Sequence, residues 1–283
     1  MYKFPIGVMV ESFRTDLRSA LDAAAKLGAS GLQMYCSQGE YTPRTMTPEK
    51  RREVLNMVKG YGLTFSAICA DLGHGFGHAE QNPALIEESK RITDLALDLE
   101  TNIITTHIGV VPADPSHERY KVMQDACSQL ASYADSMNAR FAVETGPETS
   151  LVLKNFLDSL GSKGVSVNLD PANLAMITGD DPVQAVYNLR DYIVHTHAKD
   201  GIKLRDCDPE VVYKIVHPPV EGQKDPVCRE VPLGEGSVPF PAYLAALEDI
   251  GYRGYLTIER EVGQNPAADI ETAVKFLRGI MYN

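Results

Sequence analysis

Four residues in the second half of the chain bring chemistry that an ordinary core does not need: Glu144 ending "RFAVE", Asp170 ending "VSVNLD", His197 in "IVHTHAKD" and Glu259 in "LTIERE". Each lies at the close of a short β-branched or apolar run, the pattern of a buried strand. Residues two apart in a strand share a face. On that rule His195, His197 and Lys199 point one way, while Val194, Thr196 and Ala198 point the other. Glu144 shares its face with Ala142, Asp170 with Ser166 and Asn168, and Glu259 with Thr257, whereas Val143, Leu169 and Ile258 face away. The first half adds Glu11 after "IGVMV", Asp71 ending "TFSAICAD" and His107 in "NIITTHIG". Carboxylates gathered on an inward face repel one another and lose their hydration unless a cation neutralises them. Carboxylate oxygen with neutral imidazole nitrogen suits one divalent ion, Mn²⁺, Co²⁺, Zn²⁺ or Mg²⁺, and the lack of a thiolate argues against a structural zinc site.

To bring these strand ends together the chain must repeat one unit. About eight strand-like runs alternate with stretches of helical periodicity over 15–27, 47–60, 83–99, 115–137, 149–160, 182–190, 240–249 and 266–281. Thr47-Pro48-Glu49, Asn82-Pro83 and Asp181-Pro182 supply a cap followed by a first-turn proline. The repeat predicts an α/β fold, a single (β/α)₈ TIM barrel spanning residues 1–283, with the active site at the C-terminal strand ends. A doubly wound sheet is the alternative, but it usually has a Gly-rich first turn, which is absent here. Residues 201–239, after the seventh strand, exceed the usual length of a βα loop and carry Pro209, His217-Pro218-Pro219, Pro226 and "GEGSVPFP". This segment is expected to cover the catalytic face, the alternatives being a surface excursion or a subunit contact. "GEGSVPF" reads as a turn rather than a phosphate cradle.

The formal net charge of −11 disfavours a nucleic-acid partner and suits a small ligand. Five cysteines without CxxC spacing read as reduced thiols, which points to a cytoplasmic protein. The N-terminal apolar run is interrupted by Pro5 and Glu11, so no signal peptide or membrane span is expected. A homo-oligomer is compatible with all of this.

The runs "AVETGPE", "VNLDPANL", "HTHAKDG" and "LGEGSVPFPAYLAALEDIGYRGYLTIERE" resemble the sugar phosphate isomerase/epimerase family with the xylose isomerase-like barrel. The resemblance covers essentially the whole chain and is most specific in the C-terminal half. It implies that Glu144, Asp170, His197 and Glu259 bind one divalent metal, and that Glu144 and Glu259 are the catalytic proton carriers. It also implies a sugar or polyol substrate, isomerised or epimerised through a metal-stabilised enediolate. His107 resembles a histidine that touches substrate or supports the ligands, with a second metal as the alternative.

Lys199, on the face of His197, is expected to neutralise a ligand carboxylate or hold a substrate oxygen. His195, one layer deeper, is expected to orient the site. Glu11 and His74 are further substrate-binding candidates, with Asp71, His78 and Arg260 behind them. Asn173 stands where many epimerases of the family have a histidine; it can hold substrate hydroxyls but cannot carry a proton. An inosose dehydratase-like lyase on the same scaffold is the alternative activity. A nuclease resembling AP endonucleases is disfavoured by Asp71, Asn173 and the acidic charge.

Overall fold

The computed structural model describes residues 2–215 and 225–282, so His217-Pro218-Pro219 lies outside the described residues. Ten strands are present among them: β1 Ile6–Met9, β2 Gly31–Tyr35, β3 Thr64–Cys69, β4 Ile103–Thr106, β5 Arg140–Glu144, β6 Val165–Leu169, β7 Ile193–Ala198, β8 Asp200–Lys203, β9 Cys228–Val231 and β10 Leu256–Ile258. Eight of them close a barrel in the order β1-β10-β7-β6-β5-β4-β3-β2, all neighbours parallel. The predicted (β/α)₈ barrel is therefore the observed one. The helices are α1 Leu17–Leu27, α2 Pro48–Gly60, α3 Asn82–Asp98, α4 Glu118–Ser136, α5 Ser150–Leu160, α6 Pro171–Asn173, α7 Pro182–Asn188, α8 Pro209–Val212, α9 Phe240–Asp249 and α10 Pro266–Tyr282.

Helix starts follow the chemistry of their first turns. Thr47 accepts from the Lys50 N–H, Thr149 from Val152 and Asp181 from Val183, each satisfying a backbone donor that the helix itself leaves unpaired. Asn82 departs from the predicted pattern. It is the first residue of α3 rather than its cap, and its buried amide donates to the Phe76 carbonyl at 3.1 Å. Each long helix turns one apolar face to the barrel. In α4 that face is Tyr120, Met123, Cys127, Leu130 and Ala134, spaced by three and four residues. It meets a wall that includes Phe141, Val143 and Val165, all at most 1% exposed, and burying each large apolar side chain contributes about 1.5–3 kcal/mol.

The inside of the barrel is polar, where branched aliphatic residues are usual. Thr257 Oγ1 is 3.0 Å from His195 Nε2, His195 Nδ1 is 2.9 Å from Asn168 Oδ1, and Gln33 Nε2 donates to Thr105 Oγ1 at 3.0 Å. An irregularity in the β6–β7 pairing sets Asn168 beside His195 rather than Val194. Gly7 leaves room for this layer, since a Cβ there falls 2.7 Å from Thr257 Oγ1.

The long segment after β7 has structure of its own. β8 and β9 form an antiparallel hairpin, and α8 follows β8. Asp200 is the organising residue: its buried carboxylate accepts the N–H groups of Gly201, Gly234, Gly236 and Val238 at 2.9–3.1 Å. "GEGSVPF" is thus a backbone nest filled by the chain's own carboxylate, in keeping with its reading as a turn. Gly236 is required there, because a Cβ would come within 2.1 Å of Asp200 Oδ1. Two ion pairs tie the segment to the barrel: Glu210 to Arg119 of α4, and Glu230 of β9 to Arg260 at 2.6 Å.

Candidate functional site

At the C-terminal end of the barrel one donor atom from each of Glu144, Asp170, His197 and Glu259 lies within 4.8 Å of the other three, and all four residues are buried. Glu144 is the last residue of β5, His197 the penultimate residue of β7, and Asp170 and Glu259 are the first residues past β6 and β10. Adjacent strand ends of one closed sheet bring together residues up to 115 positions apart.

Asp170 does two jobs. Its Oδ1 caps α6, accepting from the Ala172 and Asn173 N–H groups at 2.8 and 3.0 Å. Its Oδ2 is buried without a hydrogen-bond partner, and so is His197 Nδ1. The Nδ1 atom stands 3.4 Å from Glu259 Oε2 and 3.6 Å from both Glu144 Oε1 and Asp170 Oδ2. Those distances exceed a hydrogen bond. They suit donors that share an ion held about 2.0–2.2 Å from each.

The opposite ring atom, Nε2, lies 3.0 Å from Gln33 Oε1. Because Gln33 gives its amide N–H to Thr105, its carbonyl can take the Nε2 proton and leave Nδ1 a lone pair for a ligand, although the Asn168 amide nitrogen also stands 3.2 Å from Nε2. The donor set therefore fits a hard or borderline divalent cation.

Charge balance shows that the carboxylates demand a positive partner, which the imidazole itself supplies by taking a proton when no ion takes its place. Burial alone drives His197 toward neutrality, but Glu259 and Glu144 outweigh it and raise its pKa well above the imidazole range. Burial likewise disfavours the Glu259 charge, yet Lys199 and His197 carry its pKa well below the usual carboxylate range. Lys199 gives Nζ to Glu259 Oε2 at 2.9 Å and Glu261 Oε2 at 2.8 Å. It is thus committed to carboxylates while still lining the cavity. His195, pushed well below its ordinary pKa by burial and by His197, is neutral and belongs to the layer beneath.

The remaining sequence candidates surround this group at different depths. Asn173 donates to Glu144 Oε1 at 2.9 Å, and Asn168 to Glu144 Oε2 at 3.3 Å. Half-buried His107 lies between Asp71 Oδ2 at 3.2 Å and Glu144 Oε1 at 3.7 Å. Burial opposes its charge, but Glu144 and Asp71 raise its pKa to about 9. Glu11 is exposed at the rim, on a turn past β1, where it accepts from the Tyr35 N–H at 2.9 Å. His74 and His78 line a neighbouring cavity. Arg260 is committed to Glu230 and Asp269.

A cavity of about 410 Å³ reaches Glu144 and Glu259 of this group, and the long segment walls it with Val212, Tyr213, Cys228 and Glu230. Sequence reading missed Gln33, Tyr213, Glu230 and Glu261. Gln33 left a trace as the one polar residue inside "GLQMY". Tyr213 left none, since only the fold of 201–239 brings it here. All five cysteines are free, and among the described residues no helix is long and apolar enough to cross a membrane.

Comparison with known proteins agrees with the fold. A Haemophilus influenzae protein named "Putative L-ribulose-5-phosphate 3-epimerase SgbU" is 24% identical over 98% of this chain and 96% of its own. A xylose isomerase domain protein from Planctomyces limnophilus superposes with a TM-score of 0.79 at 26% identity, covering 99% of this chain and 97% of the other. The "probable 3-DHS dehydratase AsbF" of Bacillus anthracis shares the fold with a TM-score of 0.75 at 20% identity, over 96% and 98% of the two chains. Residues 21–280 match the family described as the xylose isomerase-like TIM barrel, and the chain belongs to that family.

Proposed function

We propose that this protein is a divalent-metal-dependent sugar isomerase or epimerase that moves a proton next to a carbonyl. The observation that carries the reading is the pair of buried, unpartnered donors, His197 Nδ1 and Asp170 Oδ2, converging between Glu144 and Glu259 under an open cavity. Glu144, Asp170, His197 and Glu259 would hold the ion. When bound, it would polarise adjacent carbonyl and hydroxyl oxygens and acidify the C–H between them.

The protein's own groups would move the proton. Glu144 and Glu259 are separated around the barrel wall by β6 and β7, so two carboxylates can face one substrate carbon from different sides. Lys199 keeps Glu259 ionised, the state a proton acceptor must start from, and holds its carboxylate in place. Glu144 is fixed by the amides of Asn173 and Asn168. The name of the H. influenzae relative supports a ketose substrate.

A dehydratase is the second reading. Its support is His107, which lines the cavity with Nδ1 3.2 Å from Asp71 Oδ2 and could protonate a departing hydroxyl.

Incubating the metal-loaded protein with a panel of ketoses, aldoses and inososes in D₂O tests both readings. Deuterium entering next to the carbonyl is expected, with a loss of about 10²–10⁴-fold in Glu144→Gln or Glu259→Gln. Water release with a new ultraviolet-absorbing enone would select the lyase. Metal binding without exchange on any substrate would overturn the proposal.

A further inference from the structure

A second cavity, of about 370 Å³, adjoins the one that reaches Glu144 and Glu259. Within the long segment after β7, Val212 lines the first, Lys214 and Ile215 line the second, and Tyr213 lines both. The backbone around Tyr213 holds it there. Asp208 caps α8 by accepting the Glu210 N–H at 2.9 Å, Tyr213 gives its own N–H to the Pro209 carbonyl at 2.9 Å, and Ile215 gives its N–H to the Glu210 carbonyl at 2.7 Å. The ion pair of Glu210 with Arg119 fastens this turn to α4.

The side chain has two parts with different neighbours. Its ring lies 6.2 Å from that of His107, within the range of aromatic contact. Its hydroxyl reaches Gly146, two residues beyond Glu144: a Cβ on that glycine would fall 2.9 Å from Tyr213 Oη and 2.5 Å from Asn173 Cβ. Asn173 is committed to Glu144. The phenol has no such commitment, for among the described residues it makes no hydrogen bond. Burial, with Glu144 and Asp170 nearby, raises its pKa well above the ordinary phenol range, so it keeps its proton and offers both a donor and an acceptor. Packing a ring against His107 needs no hydroxyl, since phenylalanine would fill the same space. A free polar group on the wall of a cavity is suited to orienting a ligand.

We infer that Tyr213 is a specificity-determining residue: its phenol hydrogen-bonds one substrate hydroxyl beyond the reacting carbons, so the long segment reads the configuration of a carbon that undergoes no chemistry. This deepens the proposed function, and it rests on that reading for the reacting sugar. With Glu144 on one side of the phenol and the second cavity on the other, the hydroxyl concerned lies on the part of the substrate that leads out of the first cavity. A site built to hydrogen-bond a hydroxyl rejects the analogue that lacks it, because the protein group is then left unpaired.

Tyr213→Phe tests the inference, since it removes the hydroxyl and keeps the ring. kcat/KM is compared in wild type and variant for ketopentoses and ketohexoses, their epimers at each carbon beyond the reacting pair, and the matching monodeoxy sugars. The wild-type protein should prefer one epimer by about tenfold, and the variant should lose about tenfold on that sugar and almost nothing on its epimer or deoxy analogue. Tm and the resistance of residues 201–239 to limited proteolysis should not change. An equal loss on every sugar, no loss on any, or a segment newly open to protease would each overturn the inference. A second measurement needs no turnover: ligand-observed NMR titration with ribitol, xylitol and arabitol, which the wild-type protein should distinguish and Tyr213→Phe should not. Identical behaviour of the two proteins toward all three polyols would also overturn it. Should no sugar exchange deuterium, the proposed reaction fails, and the polyol titration still decides the role of Tyr213.

Discussion

Gln33 touches neither solvent nor cavity, yet it decides which nitrogen of His197 faces the carboxylates. Replacing it by leucine keeps the bulk and removes the acceptor, so the imidazole loses its preferred tautomer and a buried N–H loses its partner. Gln33→Leu should therefore weaken divalent-metal affinity about 10–100-fold, read by chelator competition, while the fold persists. Glu148 raises a different question at the same scale. It is buried, Oε2 accepts from the Val111 N–H at 3.0 Å, Oε1 has no partner, and burial raises its pKa to about 8. A carboxyl whose folded pKa is raised binds its proton more tightly in the folded state than in the unfolded one. Its contribution to stability is complete below about pH 4.3 and is lost as pH rises through about 8. Glu148→Gln should thus be more stable than wild type at pH 9, by about 2–4 kcal/mol in denaturant titrations, with the difference shrinking toward pH 5.

Among elements, the segment from β8 to α9 has the largest effect on the site, because it delivers Tyr213, Cys228 and Glu230 to the cavity wall. Its shape depends on Asp200, which gathers four backbone donors from both of its ends. Asp200→Ala should free the 233–238 turn, costing about 2–4 kcal/mol and opening residues 201–239 to limited proteolysis before the barrel unfolds. The regular elements were legible in the sequence to within a few residues, because one apolar face per helix and short β-branched runs leave a periodic signal. The four converging residues were legible for the same reason: strand ends of a parallel barrel meet whatever their separation. Gln33 and Tyr213 were not. The role of Gln33 depends on cross-barrel packing, and the position of Tyr213 on a nest and two ion pairs within a long connection, neither of which has a period.

For the whole molecule, the barrel's interior is a stack of polar layers, from Thr257, His195 and Asn168 up to the four donors. Such an interior gives up apolar burial for a group of converging donors that a divalent cation would balance. Adding Mn²⁺ or Co²⁺ should therefore raise Tm, with a gain of about 2.7 kcal/mol at a free concentration one hundred times Kd, reversed by EDTA.

Asp170 also bears on which ion is chosen. With Oδ1 fixed to two backbone N–H groups of α6, only Oδ2 can turn toward a guest, so this carboxylate grips with one oxygen and cannot swing to grip with two. Calcium, with its large and crowded oxygen shell, gains most from carboxylates that can offer both oxygens, whereas magnesium and manganese need fewer donors at shorter reach. In the proposed metal site the helix cap would thus act as a size filter: a residue that looks like a structural stop for a three-residue helix would also bias the centre toward the smaller ions.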